Sequence, residues 1–382
     1  MDFTIKNRLS FFGIISYIVL NIIGIYIQMS KGVYSILLFS HIIIFIVYIF
    51  NYDNIFKILK NKYLLIFLFF LLISILYNHM YYLFRDDTLD FISQYKLFFV
   101  NILHNFFLGG LFIFFLQQLE KKQIKKLFYV LSTLGLILLI YFSIEMLFFG
   151  RFEENLFRII FQGDNNLYQT FSDYTNRLIF IIIVVSYFLN NNKSNKHNLL
   201  ISITIIILIF LQSIVGSNKG PLILLVLLFF YILKSATKFK FLILVLILMV
   251  GYYNIDISEF NPRFITQGFD SVSARLSFFD RIGDLFMVNP VLGSHFAHDI
   301  LNTDYVHSSV LSAFIGVGLF GGIFYSLFLY EFYKRSLQLG LFIKIISITL
   351  ILISLLATYF DWFILWFFSG IVFNFNLNKI EK

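Results

Sequence analysis

Apolar runs of roughly 17–25 residues recur from one end of this chain to the other, each long enough as helix to cross about 30 Å of hydrocarbon. The residues between them are few: the chain of 382 residues is 59% hydrophobic and only 13% charged, and 53 positions are Phe. A water-soluble fold cannot bury that much apolar surface, whereas a bilayer removes the need. The weakly alternating strands of an outer-membrane barrel are absent. The expected fold class is therefore an all-α polytopic integral membrane protein, with residues 1–382 forming a single membrane domain.

Twelve transmembrane helices are expected, at 11–28, 33–50, 63–83, 97–116, 127–149, 171–190, 199–215, 220–233, 239–255, 307–332, 341–358 and 360–375. The last two are the least regular, because residues 341–375 carry Lys344 and Asp361 and the final run is short. One tilted helix or a re-entrant hairpin competes with two crossings there. Orientation follows the Lys and Arg bias of the short loops. With both termini inside, basic residues in inner segments outnumber those in outer segments two to one. The inner ones are almost all Lys, while six of the nine outer ones are Arg, whose planar fork suits phosphate.

The net charge of +8 does not point to nucleic acid, since the Lys clusters sit in short loops and no basic tract or aromatic-rich soluble module exists. The chain has no cysteine, which excludes disulfides, thiol catalysis and Cys-based metal sites. Lys6 and Arg8 precede the first apolar run as in a signal sequence. A small-residue cleavage site is missing, so the run is expected to remain as the first span.

Water-facing chemistry has few places to live, and the largest is a mostly polar loop at 256–306 between spans nine and ten. It holds Arg263, Arg275, Arg281, His295 and His298, with His307 just past its end, and two of the three prolines. Within it, Leu276, Phe279, Ile282 and Phe286 recur at helical spacing, which predicts a surface helix over 271–288. Asn289-Pro290 ends that helix, because a residue before proline avoids the α region, and Gly293 permits a turn. Arg281 has Asp284 three residues on as an intrahelical partner, whereas Arg275 has no acidic residue at three or four positions either way. His307 opens span ten, where an imidazole can cap the helix or exchange a proton near neutrality. His295, His298 and Asp299 could begin a metal site, but further ligands are not evident.

Three other stretches carry candidate residues. GSNKGP at 216–221 is a tight turn in which Lys219 is either a snorkelling surface cation or an anion ligand beside glycine amides. RIIFQGDNN at 158–166 contains Arg158, and Arg177 follows early in span six. An arginine within a span faces a polar cavity or a partner, and Asp173 stands four residues earlier on the same helix face. GVGLFG at 316–321 matches the dinucleotide-binding glycine spacing, but it lies in an apolar span with no βαβ context. Gly316, Gly318, Gly321 and Gly322 are instead expected to allow close helix packing.

Taken together, SARLSFFDRIGDLFMVNPVLGSHFAHDILNTDYVHSSVLSAFIGVGLFGG resembles the signature loop of the O-antigen polymerase and O-antigen ligase superfamily. There an Arg opens an amphipathic helix, an Asn/His-Pro-Leu-hydrophobic-Gly turn follows, and a His-Asn pair begins the next span before a Gly-rich stretch. Arg275, Asn289, Pro290, Gly293, His307, Gly318 and Gly321 take those positions, GSNKGP resembles the family's Ser-Arg-Gly turn, and RIIFQGDNNLYQTF its Arg…Gly-x-x-Asn loop. Lys219 stands where the family has Arg, and Ser308 where it has Asn.

The resemblance, which covers about residues 150–325, implies a metal-independent, inverting glycosyltransferase of lipopolysaccharide biosynthesis, multi-pass in the bacterial inner membrane and working at its periplasmic face. The donor implied is an undecaprenyl-pyrophosphate-linked oligosaccharide, the acceptor a sugar hydroxyl, and no cofactor is implied. His307 is then the catalytic residue, and Arg275, Arg158, Lys219 and Arg177 bind the pyrophosphate. A developing pyrophosphate charge needs fixed cations and an acceptor hydroxyl needs a base, so the residue types fit. The expected function is O-antigen polymerase, with a chain-length regulator and a flippase as membrane neighbours. The alternatives are an O-antigen ligase acting on lipid A-core and, in a different class, a lipid-linked oligosaccharide flippase. A transporter predicts repeated halves and mid-membrane ionisable residues, and neither is clear here.

Overall fold

The computed structural model describes residues 5–31, 35–58, 61–83, 95–148, 165–190, 204–205, 207–208, 283–284, 286–287, 289–293, 308–339, 341–356 and 363–375. Among these, all regular structure is helical. The helices are α1 (Ile5–Lys31), α2 (Ser35–Phe50), α3 (Tyr52–Ile58), α4 (Lys62–Leu83), α5 (Asn105–Leu116), α6 (Lys121–Phe148), α7 (Asn165–Asn190), α8 (Ser309–Gln338), α9 (Leu341–Leu356) and α10 (Phe363–Asn374). A π-helical segment, Leu97–His104, leads into α5.

Among the described residues, four stretches are long and apolar enough to cross a membrane: Lys62–Met80, Leu97–Leu116, Lys121–Ile140 and Ser309–Gln338. Large apolar side chains also face outward in continuous stripes. On α2, Leu38, Phe39, Ile42, Phe45, Ile46 and Ile49 are all exposed, recurring at the spacing of one helix face. Such a face is costly in water and neutral against lipid tails. The protein is a helical membrane protein. The spans expected at 220–233 and 239–255, most of 199–215, and most of the 256–306 loop lie outside the described residues. Within 341–375 the described residues form α9 and α10, and the 12 residues of α10 rise only about 18 Å at 1.5 Å each.

The chain divides into two compact units, Met1–Phe50 with Gln118–Gly268 and Asn51–Gln117 with Phe269–Lys382. In the first unit α1 and α2 pair antiparallel. Gly13 admits the Val47 side chain, and the Asn21 amide donates to Ser40 Oγ at 2.9 Å and to the Tyr17 carbonyl at 3.0 Å. That hydrogen bond joins two helices across apolar surroundings, where no water competes for it. Helix α6 starts at a reciprocal cap: the Glu120 N–H donates to Gln123 Oε1 at 3.0 Å, and the Gln123 N–H donates to the Glu120 carbonyl at 2.9 Å. Gly135 then lets α6 approach Leu178 and Ile182 of α7.

The second unit has two antiparallel contacts and an aromatic centre. Helices α5 and α10 touch backbone to backbone, because a Cβ on Gly109 would land on the Phe367 carbonyl and one on Gly370 on the Phe106 carbonyl. Helix α4 begins at Asn61, whose Oδ1 accepts from the Leu64 N–H at 2.8 Å, and runs antiparallel to α8. Phe67, Tyr325, Phe328 and Trp366 are fully buried where α4, α8 and α10 meet. Their ring centroids lie 5.3 Å apart for Phe67–Tyr325 and 5.4 Å for Phe328–Trp366. At the far end of α8, Arg335 pairs with Glu331 at 3.0 Å and lies over the Phe373 ring.

Gly109→Ala and Gly370→Ala are each expected to destabilise the protein by about 1–3 kcal/mol through overpacking. Gly283→Ala, whose Cβ would meet nothing within 4 Å, is expected to be near neutral. Thermal unfolding of the detergent-solubilised variants separates the two cases.

Candidate functional site

Helix α8 is broken near its start. Gly318 has φ 78° and ψ −177°, a conformation open essentially to glycine alone. At the break two backbone groups of α8 bond outside their own helix: the Gly316 carbonyl and the Leu319 N–H. Each finds a partner from elsewhere in the same unit. The Gly316 carbonyl accepts from Ser74 Oγ of α4 at 2.9 Å, and the Leu319 N–H donates to the Pro290 carbonyl at 2.8 Å.

Pro290 is delivered by a tight turn over Asn289–Gly293. The Asn289 Oδ1 accepts from the Leu292 N–H at 3.1 Å, and its carbonyl accepts from the Gly293 N–H at 2.9 Å. This is the self-bonded turn that Asn favours. Gly293 has φ +78°, and a Cβ there would strike the Gly316 carbonyl. A Cβ on Gly318 would in turn strike the Val291 carbonyl. The two glycines therefore serve a mutual approach, each admitting the backbone of the other's segment.

Helix α8 opens at Ser308, an extended N-cap whose Oγ accepts from the Leu311 N–H at 3.4 Å. Ser308, Ser309 and Ser312 are buried. Behind the break, the Asn78 amide donates to the Ser74 carbonyl at 2.8 Å and lies 3.4 Å from Ser74 Oγ. Farther along α4, His79 Nδ1 lies 3.2 Å from the Tyr95 hydroxyl. Between α8 and α9 runs a groove of about 520 Å³, lined by Val310, Leu329, Tyr333, Ile351 and Leu355.

Of the residues singled out from sequence, Arg177 is described: it lies half-buried in α7, four positions after Asp173 in the same helix. His307, Arg275, Arg158 and Lys219 lie outside the described residues, as do His295, His298 and Asp299. Of the helix expected over 271–288, residues 283–284 and 286–287 are described and helical, the turn at Asn289–Gly293 is present, and the remainder lies outside the described residues. Of the glycines expected to allow close helix packing, Gly316 and Gly318 meet the backbone of the Asn289–Gly293 turn, while a Cβ on Gly321 or Gly322 would meet Val317 or Phe314 of α8 itself. Ser74 and Asn78 were not singled out, although two polar residues four apart in an otherwise apolar span are a readable signal for a buried polar contact.

No protein-family model, curated protein or solved structure matches this chain. The fold and the site define a helical membrane protein with a discontinuous helix.

Ser74→Ala leaves the Gly316 carbonyl without its donor and is expected to cost roughly 1 kcal/mol. Gly318→Ala must pay backbone strain of about 1–3 kcal/mol as well as the collision with Val291. The expected order of melting temperatures is wild type, then Ser74→Ala, then Gly318→Ala.

Proposed function

We propose that this protein is an O-antigen polymerase, transferring an undecaprenyl-pyrophosphate-linked glycan onto the next lipid-linked repeat unit at the periplasmic face of the bacterial inner membrane. The observation that carries the reading is the ordered set of motifs from Arg158 through GSNKGP to Arg275, the NPVLG turn, His307 and GVGLFG. Supporting it, two of those motifs touch: the NPVLG turn sits in the break of the GVGLFG segment.

In the proposed reaction the acceptor hydroxyl of the incoming repeat unit attacks the anomeric carbon of the donor glycan. The glycosidic C–O bond forms as the bond to pyrophosphate breaks, with inversion at that carbon. His307 takes the hydroxyl proton. The bonding pair leaves with the pyrophosphate, whose growing charge is met by Arg275, with Arg158, Arg177 and Lys219 as further pyrophosphate ligands. The apolar groove between α8 and α9 suits a hydrocarbon segment of the lipid carrier.

Purified protein supplied with lipid-linked repeat units is expected to make longer chains without added metal. His307→Ala and Arg275→Ala are expected to abolish extension while the protein remains inserted; wild-type chain lengths in both would sink the site assignment. In cells, deletion is expected to leave single repeat units on lipid A-core. Undecorated core with full chains on the carrier would indicate a ligase, and repeat units stranded on the cytoplasmic leaflet a flippase.

A further inference from the structure

A continuous helix through 316–319 would pair its own backbone groups without outside help. Instead α8 opens there, places Gly318 at φ 78°, and takes one hydrogen bond at the Gly316 carbonyl from Ser74 and gives one from the Leu319 N–H to Pro290. Strained backbone persists where the surroundings over-determine it, and such points cluster at functional sites. The turn that fills the break is equally determined. Asn289 closes it with two hydrogen bonds, proline supplies a carbonyl with no N–H of its own, and Gly293 adopts the positive φ that lets it reach Gly316.

Chain connectivity gives this contact its consequence. The 14 residues 294–307 run between Gly293, seated against Gly316, and Ser308, the cap of α8. Ser308 and Gly316 are eight residues apart, about 12 Å along the helix. Gly293 and Ser308, the residues that flank that segment, are therefore both held on one short stretch of α8. His307 is its last residue, and Arg275 lies 14 residues before Asn289 on the other side of the turn. Holding one point of the loop in the break limits where both flanks can go.

We propose that the Asn289–Gly293 turn, seated in the break of α8, is a latch that fixes the loop bearing Arg275 and His307 relative to the membrane helices, with Asn289 as its positioning residue. What the latch positions rests on the polymerase reading; the latch itself does not. Asn289 touches no substrate in this scheme. It acts by aiming the Pro290 carbonyl at the Leu319 N–H, and the geometry of the loop follows.

The test uses the full chain with Asn289→Ala, and with Asn289→Asp, which keeps an acceptor oxygen for the Leu292 N–H. Two quantities are read: hydrogen exchange of the peptide covering residues 316–322, and kcat and KM for chain extension on lipid-linked repeat units. In Asn289→Ala, exchange at Leu319 is expected to accelerate on the order of tenfold. The same variant should lose on the order of tenfold to a hundredfold in kcat, as misplaced catalytic groups do, with KM little changed. Exchange in α5 and α10 should stay as in wild type, and Asn289→Asp should restore both readouts. Unchanged protection of Leu319 in Asn289→Ala would overturn Asn289 as the holder of the latch. Faster exchange with full kcat would overturn its positioning role. If the wild-type protein makes no polymer, the polymerase reading falls, and the exchange arm still decides whether the latch exists.

Discussion

In hydrocarbon a backbone N–H or C=O without a partner costs several kcal/mol, and no water is at hand to supply one. This constraint makes the chain helical and makes the interruption of α8 its most informative point. Opening a membrane helix is tolerated only where other groups take over the freed bonds. Here they come from two directions, the Ser74 hydroxyl of α4 and the Pro290 carbonyl of the loop turn. Each repair ties a separate element to the same four residues. The break is thus a junction where a membrane helix, its antiparallel neighbour and a loop share hydrogen bonds.

Away from the junction, shape replaces polarity as the means of association. Water expulsion does not drive helices together in lipid, so close van der Waals packing must. Gly109 and Gly370 bring α5 and α10 into backbone contact, and the Phe67–Tyr325–Phe328–Trp366 cluster fills the centre of the second unit. The 53 Phe residues serve both needs, since an aromatic ring is as comfortable against lipid as against another ring. Phe67 is fully buried while Phe69, two positions later, is exposed. The same residue type builds the core and coats the surface, so composition announces the bilayer without saying which face is which.

The difference between what was legible in the sequence and what was not follows from range. The helices themselves were readable, because bilayer thickness sets a length that hydropathy reports directly: 63–83 became Lys62–Leu83 and 341–358 became Leu341–Leu356. The turn at Asn289–Gly293 was readable too, since Asn, Pro and Gly each carry a local backbone preference. The seat of that turn was not. Glycines at 316–322 signal that something comes close, but a packing helix and an inserted turn ask for the same small residues. Ser74 and Asn78 together signal a polar contact but not its partner, because a serine in an apolar span normally bonds back to its own helix, as Ser186, Ser354 and Ser369 do here. That Ser74 bonds outward, to Gly316, depends on a break 242 residues away in sequence. Of the candidate site, the residue types and their order were legible, and their geometry was not.

The break also divides the signature into two kinds of position. Asn289 closes a turn, Pro290 offers a carbonyl, Gly293 and Gly318 take positive φ, and Ser308 caps a helix. All five are answers to backbone questions, and each can be met by any residue with the same backbone property. Ser308 shows this directly. It stands where the resembling family has Asn, and Ser and Asn are near-equal N-caps, so the exchange leaves the start of α8 intact. Arg275 and His307 belong to the second kind in the proposed reaction, where one meets charge and the other a proton. A change at the first kind of position is then tolerable whenever the backbone role is kept. A change at the second kind must preserve the chemistry itself.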